Sequence, residues 1–293
     1  MKKILILTFA IFAITGAKAQ TQIYNSDFEE WETVTYKSTT CEEPKRWSSF
    51  IDGTGGLKGM AANEQLVKSD DVRPGSSDNK YCAKINTREI SVLFVKIPAQ
   101  GNLTTGCVNM GSTTATDASG NYNYINYERD DQAMPFTGKP TKFEIYLKGN
   151  CSQNASVAIH LVKGTGHYQE PVSEKTPNTA TRIALAELQT SVTGEWTKYE
   201  GTFSYVNGDI ATSDSPEYVL VNISTSSTPG KGSSSDVLYV DDLTMIYPEI
   251  DSVESSIVDA PSQPTPAYNL AGQRIADNAN GIIIKAGKKY INK

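Results

Sequence analysis

The chain has 293 residues, of which 38% are hydrophobic and 20% charged, and its formal net charge is −6. That acidity argues against nucleic acid as a partner, because phosphate binding needs a basic surface that releases counterions. After residue 19 no run approaches the roughly eighteen apolar residues of a transmembrane helix, and no G-x-S-x-G, H-E-x-x-H or P-loop pattern marks a catalytic or nucleotide site.

Residues 1–19 read as an export signal. Lys2 and Lys3 form a basic start, residues 4–15 are apolar but too short to span a membrane, and Ala17, Lys18 and Ala19 make a small-x-small cleavage site. Cleavage there would begin the mature chain at Gln20, and a residue other than Cys at that position closes the lipoprotein route.

A core is expected over residues 20–247. It opens on Asn25-Ser-Asp-Phe-Glu-Glu-Trp31, an Asn/Asp-rich lead into a first strand. β-branched and aromatic residues alternate over residues 90–97, 142–148, 156–162, 196–203 and 218–224, and Gly, Pro, Asn, Asp and Ser clusters bound each run, which predicts strands. Residues 181–189, with Ile183, Leu185 and Leu188, fit either a short helix or a loop plus strand. Polar connections at residues 58–78 and 113–132 are longer than hairpins require. The last strand, Leu238-Tyr-Val-Asp-Asp-Leu-Thr-Met-Ile-Tyr247, carries Asp241 and Asp242 among alternating apolar residues. Many short strands with almost no helix predict an all-β jelly-roll sandwich whose first and last strands lie side by side.

Past Tyr247 the composition changes. Residues 248–266 are rich in Ser, Asp and Pro, a linker composition, and residues 267–293 hold three short apolar bursts separated by Gly-containing turns. A β-meander of that size buries too little surface to be very stable alone, which suits a docking or export element. Cys41, Cys82, Cys107 and Cys151 would permit two disulfides in an exported chain, in any of three connectivities, or remain free thiols. Their scatter, without a C-x-x-C, does not fit a zinc site.

The acids come as neighbours, at Glu29-Glu30, Glu42-Glu43, Asp70-Asp71, Asp130-Asp131 and Asp241-Asp242. Adjacent strand residues point to opposite faces, so no such pair can flank one glycosidic bond, although acids from different pairs could converge. His160 and His167 are the only histidines, and His160 sits in an alternating strand where a structural role is expected. A calcium ion fits the acids better. Ca²⁺ takes six to eight oxygens; Asn25, Asp27 and Glu29 at one end of the core and Asp241 and Asp242 at the other could supply them if the terminal strands adjoin. Asp117-Ala-Ser-Gly-Asn121 lacks the downstream Glu of an EF-hand and reads as a turn.

Aromatic faces are the expected sugar platforms, because the C–H face of a pyranose packs on a ring while its hydroxyls find polar partners. Trp47, between a turn and a Gly-rich loop, is the tryptophan best placed for a ligand surface. Asn121-Tyr-Asn-Tyr-Ile-Asn-Tyr-Glu-Arg129 puts Tyr122 and Tyr124 on one register of a ribbon with amides on the other, followed by Tyr127 and by Arg129 and Asp130 as hydroxyl partners.

From about residue 25 to 247 the chain resembles the putative carbohydrate metabolism domain of exported Bacteroidetes proteins. The likeness is carried by the Asn25–Trp31 motif, Arg73-Pro-Gly-Ser-Ser77, Tyr81-Cys-Ala-Lys-Ile85, Gly101-Asn-Leu-Thr-Thr-Gly106, Pro135-Phe-Thr-Gly-Lys-Pro-Thr-Lys-Phe143, Gly194-Glu-Trp196, and Ser224-Thr-Ser-Ser227 leading to Leu238-Tyr-Val-Asp-Asp242. It implies a jelly roll akin to carbohydrate-binding modules, a role around glycans and a structural calcium near the terminal strands, and it brings no established catalytic residues. Residues 268–293 resemble the Tyr-x-Leu-x-Gly-x-x-Ile…Gly-x-Tyr-Ile tails of the same bacteria, with Ile283 where an aromatic is frequent, which implies contact with outer-membrane secretion machinery. The expectation is thus an exported, surface-associated protein of a Gram-negative cell that binds poly- or oligosaccharide without catalysis. A glycoside hydrolase is the alternative, and a structural adhesin or surface-assembly subunit a further one.

Overall fold

The computed structural model describes residues 20–61, 64–75, 79–92, 95–248, 266–276, 279–285 and 288–292. The expected export signal and nearly all of the expected linker lie outside the described residues. Two units are resolved by contacts within the chain, residues 1–248 and 249–293.

In the first unit, β1 (Trp31–Tyr36) and β2 (Thr39–Pro44) form a hairpin, followed by one helical turn, α1 (Lys58–Ala61). Then come β3 (Leu66–Ser69), β4 (Cys82–Asn86), the hairpin of β5 (Arg88–Val92) and β6 (Val95–Ala99), β7 (Asn102–Thr104), β8 (Cys107–Met110) and β9 (Asn121–Tyr124). The longer strands follow: β10 (Lys142–Asn150), β11 (Ala155–Lys163), a short β12 (Gln169–Glu170), β13 (Thr181–Thr190), β14 (Thr197–Thr202), β15 (Ser204–Tyr205), β16 (Tyr218–Ser224) and β17 (Val237–Ile246). Two five-stranded antiparallel sheets result, in the orders β14-β10-β17-β4-β3 and β15-β13-β11-β16-β7, with a three-stranded sheet β12-β9-β8 beside them.

Alternation explains why these sheets stack. Phe143, Ile145 and Leu147 of β10 and Leu238 and Val240 of β17 meet Val157, Ile159 and Leu161 of β11 and Val219, Val221 and Ile223 of β16 in one core cluster. Every one of these side chains is essentially removed from water, at about 25 cal/mol for each Å² of apolar surface covered. The result is the expected all-β jelly-roll sandwich. The first and last strands are not side by side, since among the described residues β1 pairs only with β2 and β17 lies between β10 and β4; it is the segment before β1 that runs along β17, where Gln22 bonds both the N–H and the C=O of Met245 through its side-chain amide, at 2.7 and 2.9 Å, and Leu243 N–H donates to Ser26 O at 2.9 Å.

Three expectations change. Residues 181–190 form a strand, because pairing with β11 passes through a register shift at Leu161 and Val162 that turns Ile183, Ala184 and Ala186 all toward the core. All four cysteines are free thiols, three of them buried, and burial pushes the thiols of Cys41, Cys82 and Cys151 up to about 12. Asp241 and Asp242 do not point to opposite faces: a bulge interrupts the pairing of β17 with β10, Asp242 takes a left-handed φ of 46°, and both carboxylates reach the Asn79 side chain.

The second unit is a four-stranded antiparallel sheet. Its strands β18 (Ala267–Tyr268), β19 (Arg274–Ile275), β20 (Gly281–Lys285) and β21 (Lys288–Asn292) take the order β19-β18-β20-β21. Ala267 and Ile283 are buried there, while Tyr268, Leu270, Tyr290 and Ile291 remain exposed.

Candidate functional site

Strands that bury one register must show the other. On the second sheet the outward residues are Asn102 of β7, Ser156 and Ala158 of β11, and Asn222 and Ser224 of β16, and they floor a cavity of about 420 Å³. Val108, Met110, Tyr122 and Asn123 of β8 and β9 form one wall, and Phe50, Leu57, Ile90 and Pro98 contribute the apolar lining. The rim comes from residues of the 112–118 and 226–230 loops. Among the described residues no Asp, Glu, Lys, Arg or His lines this cavity.

Side-chain amides fix its shape. Asn121 Oδ1 accepts from Gly111 and Ser112 N–H, and its Nδ2 donates to Ser112 O and Thr114 O at 2.9 Å each, closing the first rim loop on itself. Gln100 Nε2 donates to Ser224 Oγ at 3.0 Å and its Oε1 accepts from Gly230 N–H at 3.2 Å, which ties the second rim loop to the floor. Gln169 Nε2 donates to Ala118 O and Pro171 O, both at 2.9 Å. Gly106, beside the floor, tolerates no side chain because a Cβ would overlap the Tyr124 carbonyl and Leu220. Tyr122 is half-buried and stands edge-on to Tyr124 at 5.6 Å and to His167 at 6.4 Å between ring centres.

The expected ligand residues are divided by the fold. Tyr122 lines the cavity, but Tyr124 lies half-buried with its hydroxyl 3.4 Å from Thr54 Oγ1. Tyr127 packs edge-on against Tyr218 at 5.0 Å and donates its O–H to Gly164 O at 3.0 Å. Trp47 offers no sugar face: it is 2% exposed, its ring is 5.2 Å from that of Phe28, and its indole N–H donates to Tyr24 O. The reason is the pairing of Ser48 with Thr104, which draws the preceding Trp47 into the sandwich. Arg129 belongs elsewhere, bridging Asp52 and Asp131, and Asp130 is exposed with its carbonyl taken by Arg46. His160 is a buried structural histidine, 3.1 Å from the Tyr168 hydroxyl, and burial holds it neutral with its pKa down at about 3. Sequence reasoning missed Asn102 and Asn222; the one signal was the polar Asn and Ser within the apolar run of residues 218–224.

A second, polar cavity of about 230 Å³ is lined by Glu32, Glu43, Arg46, Asp52, Arg129 and Asp131 among others. Glu43 is 1% exposed, accepts from Ser49 N–H and O–H on Oε1, and is pushed up to about 8, first by burial. Asp52 accepts from Arg129 Nη1 at 3.0 Å and Gln132 Nε2 at 2.8 Å.

The proposed calcium oxygens are partly brought together. Glu29 Oε1 accepts the N–H groups of Lys80 and Tyr81, Asn79 bonds Asp241 and Asp242, and Arg73 pairs with Asp242. Asn25 is turned away, its side chain spent on the backbone of Glu30 and Lys45, and Asp27 is exposed. Burial and the neighbouring Asp242 raise Asp241 to about 7. Among the described residues no three His, Cys, Asp or Glu side chains group as a metal site, and the Arg73 guanidinium supplies positive charge beside Asp242.

No family model matches the chain, and no curated protein matches it. Among solved structures it is similar to a protein from Bacteroides vulgatus described as a "putative glycoside hydrolase", at 18% identity over 75% of this chain and 96% of that one, with a TM-score of 0.41. It is also similar to the TmCBM61 module in complex with β-1,4-galactotriose, at 9% identity, 76% and 92% coverage and a TM-score of 0.30. A third is the family 11 carbohydrate-binding module of a Clostridium thermocellum cellulosomal cellulase, at 10% identity, 78% and 96% coverage and a TM-score of 0.30. The fold described above rests on the chain's own strand order.

Two outcomes test the buried acids. A carboxyl whose folded pKa is raised holds its proton more tightly folded than unfolded, so its stabilisation is complete below the unfolded value of 4.5 and is lost as pH rises to about 8. His160 acts oppositely but only below 6.5, which leaves the upper window to the carboxyls that burial raises, Glu43 and Asp241 with Glu170. Urea unfolding should therefore show stability falling between pH 6.5 and 8, with Glu43 accounting for about 1.5 kcal/mol that Glu43→Gln removes; an unchanged slope in the variant rejects the buried acid. With Arg73 as countercharge, EDTA should leave the melting temperature unchanged, whereas a fall that Ca²⁺ restores would establish a metal on Asp241 and Asp242.

Proposed function

We propose that this chain is a non-catalytic saccharide-binding protein and that the glycan occupies the cavity on the outer face of the second sheet. The observation that carries this reading is the chemistry of the lining: amides and hydroxyls on the floor, apolar and ring surfaces on the walls, and no charge. A neutral sugar has both matching surfaces, C–H faces for Tyr122, Phe50 and Pro98 and hydroxyls for Asn222 and Ser156. A volume of about 420 Å³ lies within the range of small-ligand sites.

The polar cavity supports a second reading. Glu43, protonated near neutral pH, and the ion-paired Asp52 share one recess, the type of contrast between two carboxyl groups on which glycoside hydrolysis relies.

The leader and tail extend the proposal to export through a Gram-negative envelope and surface attachment. Calcium enters it only if an ion displaces Arg73.

A glycan array followed by titration calorimetry on the mature chain should give binding to a neutral oligosaccharide, and Tyr122→Ala should weaken it at least tenfold with the melting temperature retained. Equal binding by the variant, or no ligand on the array, overturns the cavity assignment. Release of reducing ends from a bound glycan, lost in Glu43→Gln, would favour the hydrolase. For the tail, deleting residues 267–293 should abolish surface display while residues 20–248 still fold, and display of the truncated chain would rule it out as the sorting element.

A further inference from the structure

The polar recess holds more carboxyl groups than its cations answer. Glu32, Glu43, Asp52 and Asp131 line it, against Arg46 and Arg129. Arg129 is already spent, because Asp52 takes its Nη1 and Nη2 while Asp131 takes Nε and Nη2. Arg46 gives Nη2 to the carbonyl oxygens of Asp130 and Ala133. On the hairpin, Glu32 and Glu43 stand directly opposite each other across β1 and β2, which puts two acids side by side on one face. Like charges so placed destabilise a strand pair. Lys45 does not answer them, since it pairs with Glu30, and Glu32 makes no hydrogen bond or ion pair among the described residues.

Glu43 supplies the independent sign of a ligand. Its side chain is almost wholly buried, and both donors from Ser49 go to Oε1. Oε2 has no partner among the described residues, yet it is not one of the atoms sealed without one, which are Arg46 Nε, Gln65 Oε1, Asn102 Oδ1 and Trp196 Nε1. The 1% of surface that Glu43 keeps therefore includes this oxygen, an unanswered acceptor in the wall of the recess. Asp52 and Glu32 add to the rise in pKa that burial begins at Glu43, so a cation beside Oε2 would relieve all three acids at once.

We propose that this recess binds the ammonium group of an unacetylated amino sugar. It is a site apart from the larger cavity and does not rest on what fills that one. An ammonium carries three N–H donors, for Glu43 Oε2, for Glu32 and for the backbone of β1, which has β2 as its one strand partner and lines the recess with residues 32–35. Thr33 and Thr35 belong to the same lining and can meet the hydroxyls of the ring. Among the described residues no three acids group as a metal site, and an ammonium with N–H···O contacts of about 2.8 Å needs less crowding than Ca²⁺ at about 2.4 Å. A lysine side chain would lay an aliphatic stem against a lining whose apolar members, among the described residues, are Val34 and Trp47. A uronate would set a further carboxylate among four, and N-acetylation would remove the charge that the acids call for.

The test is calorimetry on the mature chain at neutral pH, with the β-1,4-linked glucosamine trimer against triacetylchitotriose and with Nα-acetyl-lysine amide as an aliphatic ammonium. The glucosamine trimer should bind at least tenfold tighter than either, and Glu43→Gln should lower its affinity at least tenfold with the melting transition intact. Glu32→Gln, at an exposed strand position, serves as the second variant should Glu43→Gln fail to fold, and should lower the affinity at least threefold. Equal affinity for the trimer and its acetylated form, or no binding of the trimer, overturns the ammonium assignment and leaves the larger cavity standing, because that site is judged by the array and Tyr122→Ala. Tightest binding by the lysine amide overturns the amino sugar as occupant, and full affinity for the trimer in both variants rejects the recess as its site.

Discussion

The structure depends on the two-sidedness of β16. Its inward side chains Val219, Val221 and Ile223 close the core against the facing sheet, while Asn222 and Ser224 on the other side floor the cavity. Any slip of one residue in its pairing with β11 would exchange those faces, exposing three core residues and burying two polar ones. Core packing and the cavity floor are therefore set by the same register. The hydroxyl of Thr105 reinforces it from the side, accepting the Val221 N–H at 2.9 Å and donating to Val219 O at 3.1 Å.

Legibility in the sequence followed the range of the interactions. The period-two runs at residues 142–148, 156–162 and 218–224 announced their strands because alternation is a local property, and those strands appear in the fold. Residues 181–190 were ambiguous because apolar side chains at 183, 185 and 188 satisfy a helical and an extended pattern alike; pairing with β11 decided between them. Trp47 was misjudged for a non-local reason, since only the distant Phe28 and the Ser48 to Thr104 bridge show it to be core. The bulge at Asp242 was equally hidden: nothing in an Asp-Asp pair foretells a left-handed residue, yet that residue turns two acids onto one side. Of the site, Tyr122 was found from its ribbon, whereas Asn102, Asn123 and Asn222 meet only because three strands far apart in sequence converge.

Buried charge is handled locally in this protein. Asp242 has Arg73 and Asp52 has Arg129 within ion-pair distance. Glu43 has no cation as partner; burial drives it toward the neutral form and two donors from Ser49 offset part of that cost. These sites lie away from the lining of the larger cavity, which is how a chain with 27 basic and 33 acidic residues presents a recess with none of them among its described lining residues.

An uncharged recess cannot gain selectivity from net charge, so it must discriminate by where hydrogen-bonding groups stand and by what is left unpaired. That demands rigidity, and the distribution of amides supplies it. Asn121, Gln100 and Gln169 spend their amides on the rim backbone and, for the two glutamines, on Ser224 Oγ and His167 Nε2, so the walls are held without a ligand. The floor amides Asn102, Asn123 and Asn222 contact one another and the Thr104 hydroxyl, which also accepts the Gly106 N–H. A glycine is required there by the closeness of the Tyr124 carbonyl. The same close approach that requires a glycine at 106 therefore seats β8 and β9 against the second sheet and fixes where that wall of the cavity stands.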